Sequence, residues 1–115
     1  MSSLEEGLSR LEYHVLLAMA QGPLYGYALK EAVEEESGGA LTPRAGTLYR
    51  VIARLIQQGV VEEAEAPADT PPHPGRTRRY YALTRDGRRL LAEETARLRA
   101  AAALADERLG AVEGR

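Results

Sequence analysis

Cysteine, tryptophan and phenylalanine are all absent from this 115-residue chain. Without thiols, no disulfide or thiolate metal site can form. The histidines are His14 and His73, and neither has an ordered carboxylate cluster beside it in the sequence. A nucleophilic or metal-dependent catalytic centre is therefore not expected, and neither is a cofactor. Lysine occurs once, at Lys30, so nearly every cation is an arginine. No apolar run approaches the length of a bilayer span, and Met1-Ser2-Ser3-Leu4-Glu5-Glu6 is acidic. No membrane partner is expected, and a cytoplasmic location follows. Gly38-Gly39 lacks the strand, Lys and Ser/Thr context of a phosphate-binding loop. The Glu34-Glu35-Glu36 run points in different directions around a helix, as a solvated face does.

With 44% hydrophobic and 28% charged residues, the chain has the composition of one folded domain with a modest core, not of a disordered segment. The net charge of −2 conceals a strong asymmetry. Between Arg44 and Arg89, nine arginines face five acidic residues, giving +4 and leaving −6 for the remainder. A surface built from that segment could attract phosphates while the rest of the molecule stays acidic.

Hydrophobic spacing organises the chain into helices around a short β segment. Leu4, Leu8, Leu11, Val15, Ala18 and Met19 recur at steps of three and four, which predicts a first helix from about Ser3 to Ala20, closed by Gly22-Pro23. Tyr25-Gly26-Tyr27 opens a second helix, with Ala28, Leu29, Ala32 and Val33 inward, and Ser37-Gly38-Gly39 ends it. Ala40-Leu41 has room for one extended pair at most, a candidate for a small edge strand. Thr42 and Pro43 fit the N-cap and first position of a third helix that runs to about Gln58 and is closed by Gly59. Leu48, Ile52, Leu55 and Ile56 form its packing face, and Thr47, Arg50, Arg54 and Gln57 project from the other.

Val60 to Ala66 and Thr77 to Leu83 read as two strands of a hairpin, joined by the proline-rich loop Pro67 to Gly75. Thr84 is placed to cap a last helix, from about Arg85 to Leu109, before a frayed tail at 110–115. On that helix Leu91, Thr95, Leu98, Ala102, Ala105 and Leu109 follow the alternating spacing of a helix-to-helix seam. Together with Leu8 and Leu11 of the first helix they are the candidate interface of a two-fold homodimer. The fold class is mainly α with a small β-hairpin: a winged helix-turn-helix domain over 1–84 and a C-terminal dimerisation helix over 85–109.

Several words of the sequence, in this order and spacing, resemble the PadR family of bacterial transcriptional regulators. They are Leu11-Glu12, Gly22-Pro23-Leu24-Tyr25-Gly26-Tyr27, Gly46-Thr47-Leu48-Tyr49, the exit from Leu55 to Gly59-Val60-Val61, and Tyr80-Tyr81-Ala82-Leu83-Thr84-Arg85-Asp86-Gly87. The similarity covers about Leu8 to Leu98, and the length resembles the compact branch in which a single C-terminal helix mediates dimerisation. The resemblance implies a homodimeric repressor on a palindromic double-stranded DNA operator. Gly46-Thr47-Leu48-Tyr49 would start the helix facing the major groove, with Tyr49 near the DNA backbone and Arg76, Arg78 and Arg79 in a basic wing. One tyrosine of Tyr25-Gly26-Tyr27 is a candidate phosphate contact. Arg44, Thr47, Arg50 and Arg54 are candidates for base edges or nearby phosphates.

The chain departs from the family at Arg50, where relatives usually have proline, and at Arg44-Ala45, where they tend to have Ser-Pro. With Thr42-Pro43 just upstream, the third helix is expected to begin earlier than in relatives. Some relatives bind flat aromatic compounds between dimer helices. An inducer pocket in this chain would rely on Tyr13, with or without a second tyrosine, and aliphatic walls, and no inducer is identified. The overall acidity leaves one alternative, a winged-helix module that recognises protein instead of DNA.

Overall fold

A computed structural model describes residues 7–71 and 78–113. The element order is α1 (Arg10–Ala18), a 3₁₀ turn (Met19–Gln21), β1 (Leu24–Tyr25), α2 (Gly26–Glu36), α3 (Ala45–Gln57), β2 (Val61–Ala64), β3 (Tyr80–Leu83) and α4 (Arg85–Glu113). The expected winged helix-turn-helix with a long C-terminal helix is the observed architecture.

α1 begins at Arg10, and Ser3 and Leu4, with which the helix was expected to open, lie outside the described residues. Ser9 accepts a hydrogen bond from the Glu12 amide, and the Glu12 carboxylate accepts one from the Ser9 amide. This reciprocal cap satisfies two amides that have no partner within the helix, and so defines a start. Val15, Leu16, Ala18 and Met19 then enter the core. Leu8 and Leu11 pack partly against it.

The sheet is three-stranded and antiparallel, in the order β1-β3-β2. Leu24 and Tyr25 pair with Tyr81 and Tyr80 and supply the edge strand that Ala40-Leu41 was expected to provide. Ala40-Leu41 is not free to do so. The Ser37 hydroxyl accepts the Leu41 amide at 3.0 Å, holding that segment against the end of α2. Across β3, Val61 to Ala64 pair with Leu83 to Tyr80. As the central strand, β3 buries Tyr80, Tyr81 and Leu83, whereas β2 leaves Glu62 and Glu63 in water.

α3 starts at Ala45 with Arg44 as its N-cap, so the expected start at Thr42-Pro43 is corrected. Arg44 is extended, at φ −72° and ψ 155°, and its carbonyl accepts the first helical bond from Leu48. Leu48, Val51, Ile52 and Leu55 are buried, so Val51 takes the inward place expected of Ile56, which is 36% exposed. Gly59, at φ +80°, turns the chain out of α3 into β2, a conformation a side chain would oppose.

Thr84 caps α4 as expected. Its hydroxyl accepts the Gly87 amide at 3.0 Å and donates to the Gly59 carbonyl at 2.7 Å. Gly87 lies so close to Val60 that a Cβ there would overlap the Val60 carbonyl oxygen. Leu91 then joins the core. α4 runs on through Gly110 to Glu113, past the end at Leu109 read from the sequence.

Candidate nucleic-acid interface

α3 packs through one face only, which leaves Gly46, Arg50, Ala53 and Gln57 on the opposite side, all exposed. Arg50 reaches back to the Thr47 hydroxyl at 3.3 Å, so the two residues lie together on the outer surface. Arg44 is exposed at the helix start. Among the described residues no side chain caps this N-terminus, which leaves its first amides without a partner inside the helix.

The flank of α3 toward the sheet is aromatic. Tyr49 lies against the start of α2, where a Cβ on Gly26 would overlap its hydroxyl and come within 2.8 Å of its Cζ. Next to Gly26, the Tyr25 ring meets Tyr80 edge-on at 5.6 Å and carries the Arg78 guanidinium 4.0 Å from its centroid. A continuous path thus runs from Tyr49 through Gly26 and Tyr25 to Arg78. It joins the outer helix surface to the base of the hairpin. Tyr27, 62% exposed, stands at the same end of α2.

Between α3 and the hairpin lies a cleft of about 260 Å³, lined by Tyr49, Ile52, Ala53 and Ile56 on one side and Glu63, Arg79 and Tyr81 on the other. Arg79 and Glu63 pair across the strands at 3.5 Å, both largely exposed. Removal from water raises the Tyr81 phenol above its ordinary pKa, and Tyr49 adds to the effect.

The arginines between 44 and 89 do not all share this surface. Arg54 turns toward α1 and meets the buried Glu12 carboxylate at 3.0 Å. Arg88 donates to the Ala20 carbonyl, and Arg89 pairs with Asp86 on α4. Arg44, Arg50, Arg78 and Arg79 are exposed on or beside α3 and the hairpin. Arg76 lies outside the described residues, as does His73.

The candidate dimer residues divide into two groups. Leu91 is only 8% exposed within its own domain, where it packs in the core. Thr95 is likewise engaged at home, within 2.7 Å of the Tyr13 hydroxyl on α1. Leu8 and Leu11 are half-buried. Ala102 and Ala105 are exposed, as are Leu98 at 45% and Leu109 at 55%. Leu104, not singled out in the sequence because it falls off the seam spacing, is exposed at 43%. Among the described residues, no helix is long and apolar enough to cross a membrane.

Residues 15–93 match the model of the Transcriptional regulator PadR-like family. A curated relative, an uncharacterized 37.1 kDa protein in a transposon of Streptomyces fradiae, is 42% identical over 80 residues. That match covers 70% of this chain but only 20% of the relative's length. Among solved structures, a PadR-like transcriptional regulator from Bacillus cereus is similar with a TM-score of 0.70 at 22% identity, over 94% of this chain and 97% of that one. The PadR protein of Bacillus subtilis in complex with operator DNA is similar with a TM-score of 0.58 at 22% identity, over 74% of this chain and 46% of that one. These two likenesses carry the fold, and the family match spans the helices and sheet that build the surface described above. The chain belongs to the PadR-like family of transcriptional regulators.

Proposed function

We propose that this chain is a DNA-binding repressor that acts as a cytoplasmic, nucleoid-associated homodimer on a palindromic operator. The observation that carries the proposal is the junction of two basic segments far apart in sequence. Arg44 and Arg50 on α3 are joined to Arg78 at the hairpin through Tyr49, Gly26 and Tyr25. An α3 helix with a small, polar outer face suits the width of a major groove, and Arg50 can present a fork to guanine. Arg78 and Arg79 supply phosphate attraction from the wing, with Arg76 expected to add to it. The Bacillus subtilis PadR protein, whose fold this chain shares, was solved in complex with operator DNA, which supports the same class of partner here.

The second copy is proposed from the far half of α4. From Ala96 to Leu109 its leucines and alanines face water, and Leu98, Ala102, Ala105 and Leu109 continue one stripe. A matching helix would cover them, and two-fold pairing would set two α3 helices on one face.

Titrating labelled duplexes with wild type, Arg50→Ala and Arg78→Ala over a range of salt tests this function. Wild-type affinity is expected to fall steeply with salt. Arg78→Ala should weaken all duplexes alike and reduce the salt slope by about one. Arg50→Ala should lose about 1–3 kcal/mol of preference at one base position per half-site. Association that ignores salt and both substitutions would point instead to a protein-binding module.

A further inference from the structure

Glu12 is the only charged residue counted as buried among those described, and neither of its oxygens is idle. Oε1 accepts the Ser9 amide at 2.8 Å and Oε2 accepts the Arg54 guanidinium at 3.0 Å. One carboxylate thus closes the start of α1 and reaches across to α3. The carboxylate side chain is 6% exposed, whereas that of Arg54 is 47% exposed. The pair sits at the edge of the core with its acidic half inside. Removing the cation would leave a buried charge with half its partners, which is unfavourable.

Arg54 and Arg50 are one helical turn apart and stand on nearly the same side of α3. Their side chains part company. Arg50 stays outside with Thr47, and Glu12 draws Arg54 aside to α1. The next residue of α1, Tyr13, bonds to Thr95 of α4 at 2.7 Å. Consecutive residues of α1 therefore tie it to the helix proposed to read DNA and to the helix proposed to pair the protomers. In a dimer, the orientation of α3 relative to α4 sets the separation of the two reading helices.

We propose that Glu12 is a positioning residue for DNA recognition, holding α3 in orientation through Arg54, and that Arg54 is a strut and not a DNA contact. The proposal rests on the DNA-binding function put forward above.

A double-mutant cycle separates the two roles of Arg54. Glu12→Gln keeps an acceptor for the Ser9 amide and removes the charge, and Arg54→Met keeps the aliphatic stem. Each protein is titrated, well below its unfolding temperature, against a duplex enriched from a random pool by wild type and against a shuffled duplex. Each single variant should lower the ratio of the two affinities by roughly tenfold, and the double variant should lose no more than either single one. A merely structural role would lower the unfolding temperature and leave the ratio of the remaining folded protein unchanged, which would overturn the proposal. So would an Arg54→Met loss with Glu12→Gln neutral or tighter, the signature of Arg54 touching DNA itself. Amide hydrogen exchange without DNA gives a separate readout. Faster exchange over residues 45–57 in both variants supports the strut, and unchanged exchange overturns it. If wild type enriches no duplex, the DNA-binding function fails on its own, and exchange alone decides whether the strut orders α3.

Discussion

A missing Cβ decides where Tyr49 stands. Because Gly26 has no side chain, the Tyr49 ring can lie against the start of α2, beside the residue that follows Tyr25, whose own ring carries Arg78. Gly26→Ala should displace the ring and cost about 1–3 kcal/mol of stability, read from urea unfolding. Gly26→Ala combined with Tyr49→Ala should recover part of that loss, because the obstructing ring is gone. Tyr81 offers a second test. Burial raises its phenol pKa, so above pH 10.0 the unfolded chain releases a proton that the folded chain retains. Stability is therefore expected to fall as pH rises through the folded pKa, more in wild type than in Tyr81→Phe, in parallel urea titrations at pH 8 and pH 10.5. These residue-level facts were only partly legible in the sequence. The outward positions of Thr47 and Arg50 followed from helical spacing, but the turn of Arg54 toward Glu12 depends on a contact between α1 and α3 that no local pattern carries. Ile56 and Val51 exchanged roles for a related reason. Both lie near the border of the apolar stripe, and Ile56 opens onto the cleft between α3 and the hairpin.

Elements whose ends are set by neighbouring residues in the chain were the most readable. Thr84 caps α4 as its position suggested, and the Gly59 turn closes α3. Ser9 and Glu12 form a capping box that marks the start of α1, a local signal that the apolar spacing of Leu4 and Leu8 upstream masks in the sequence. Ser9→Ala should destabilise the fold by about 1 kcal/mol, measured by thermal unfolding, with Ser9→Asp close to wild type. The edge strand was misplaced for a physical reason. Two-residue strands have almost no sequence signal, and Leu24-Tyr25 takes the edge in place of Ala40-Leu41, with Tyr25 packed edge-on against Tyr80. At α3, Thr42-Pro43 has the composition of a helix start, yet the chain stays extended through Arg44.

At the scale of the whole molecule, α4 projects beyond the domain it begins on. Its first turns are committed to the core through Gly87 and Leu91 and to α1 through Thr95, and the later leucines have no cover among the described residues. The seam spacing was visible in sequence, but the point where it passes from buried to exposed positions was not, since Leu91 and Leu98 look alike without coordinates. Leu98→Glu with Leu109→Glu should convert a dimer to a monomer in sedimentation equilibrium and leave the helical circular dichroism of the domain intact. Like charges placed on a thin, alanine-rich seam oppose its closure directly. The most direct measurement for a paired DNA reader is selection of bound duplexes from a random pool, with purified protein at fixed salt. The expected result is one motif with two-fold symmetry and half-sites about 10 base pairs apart, or a multiple of that. No enriched sequence, or a single motif without symmetry, would contradict it.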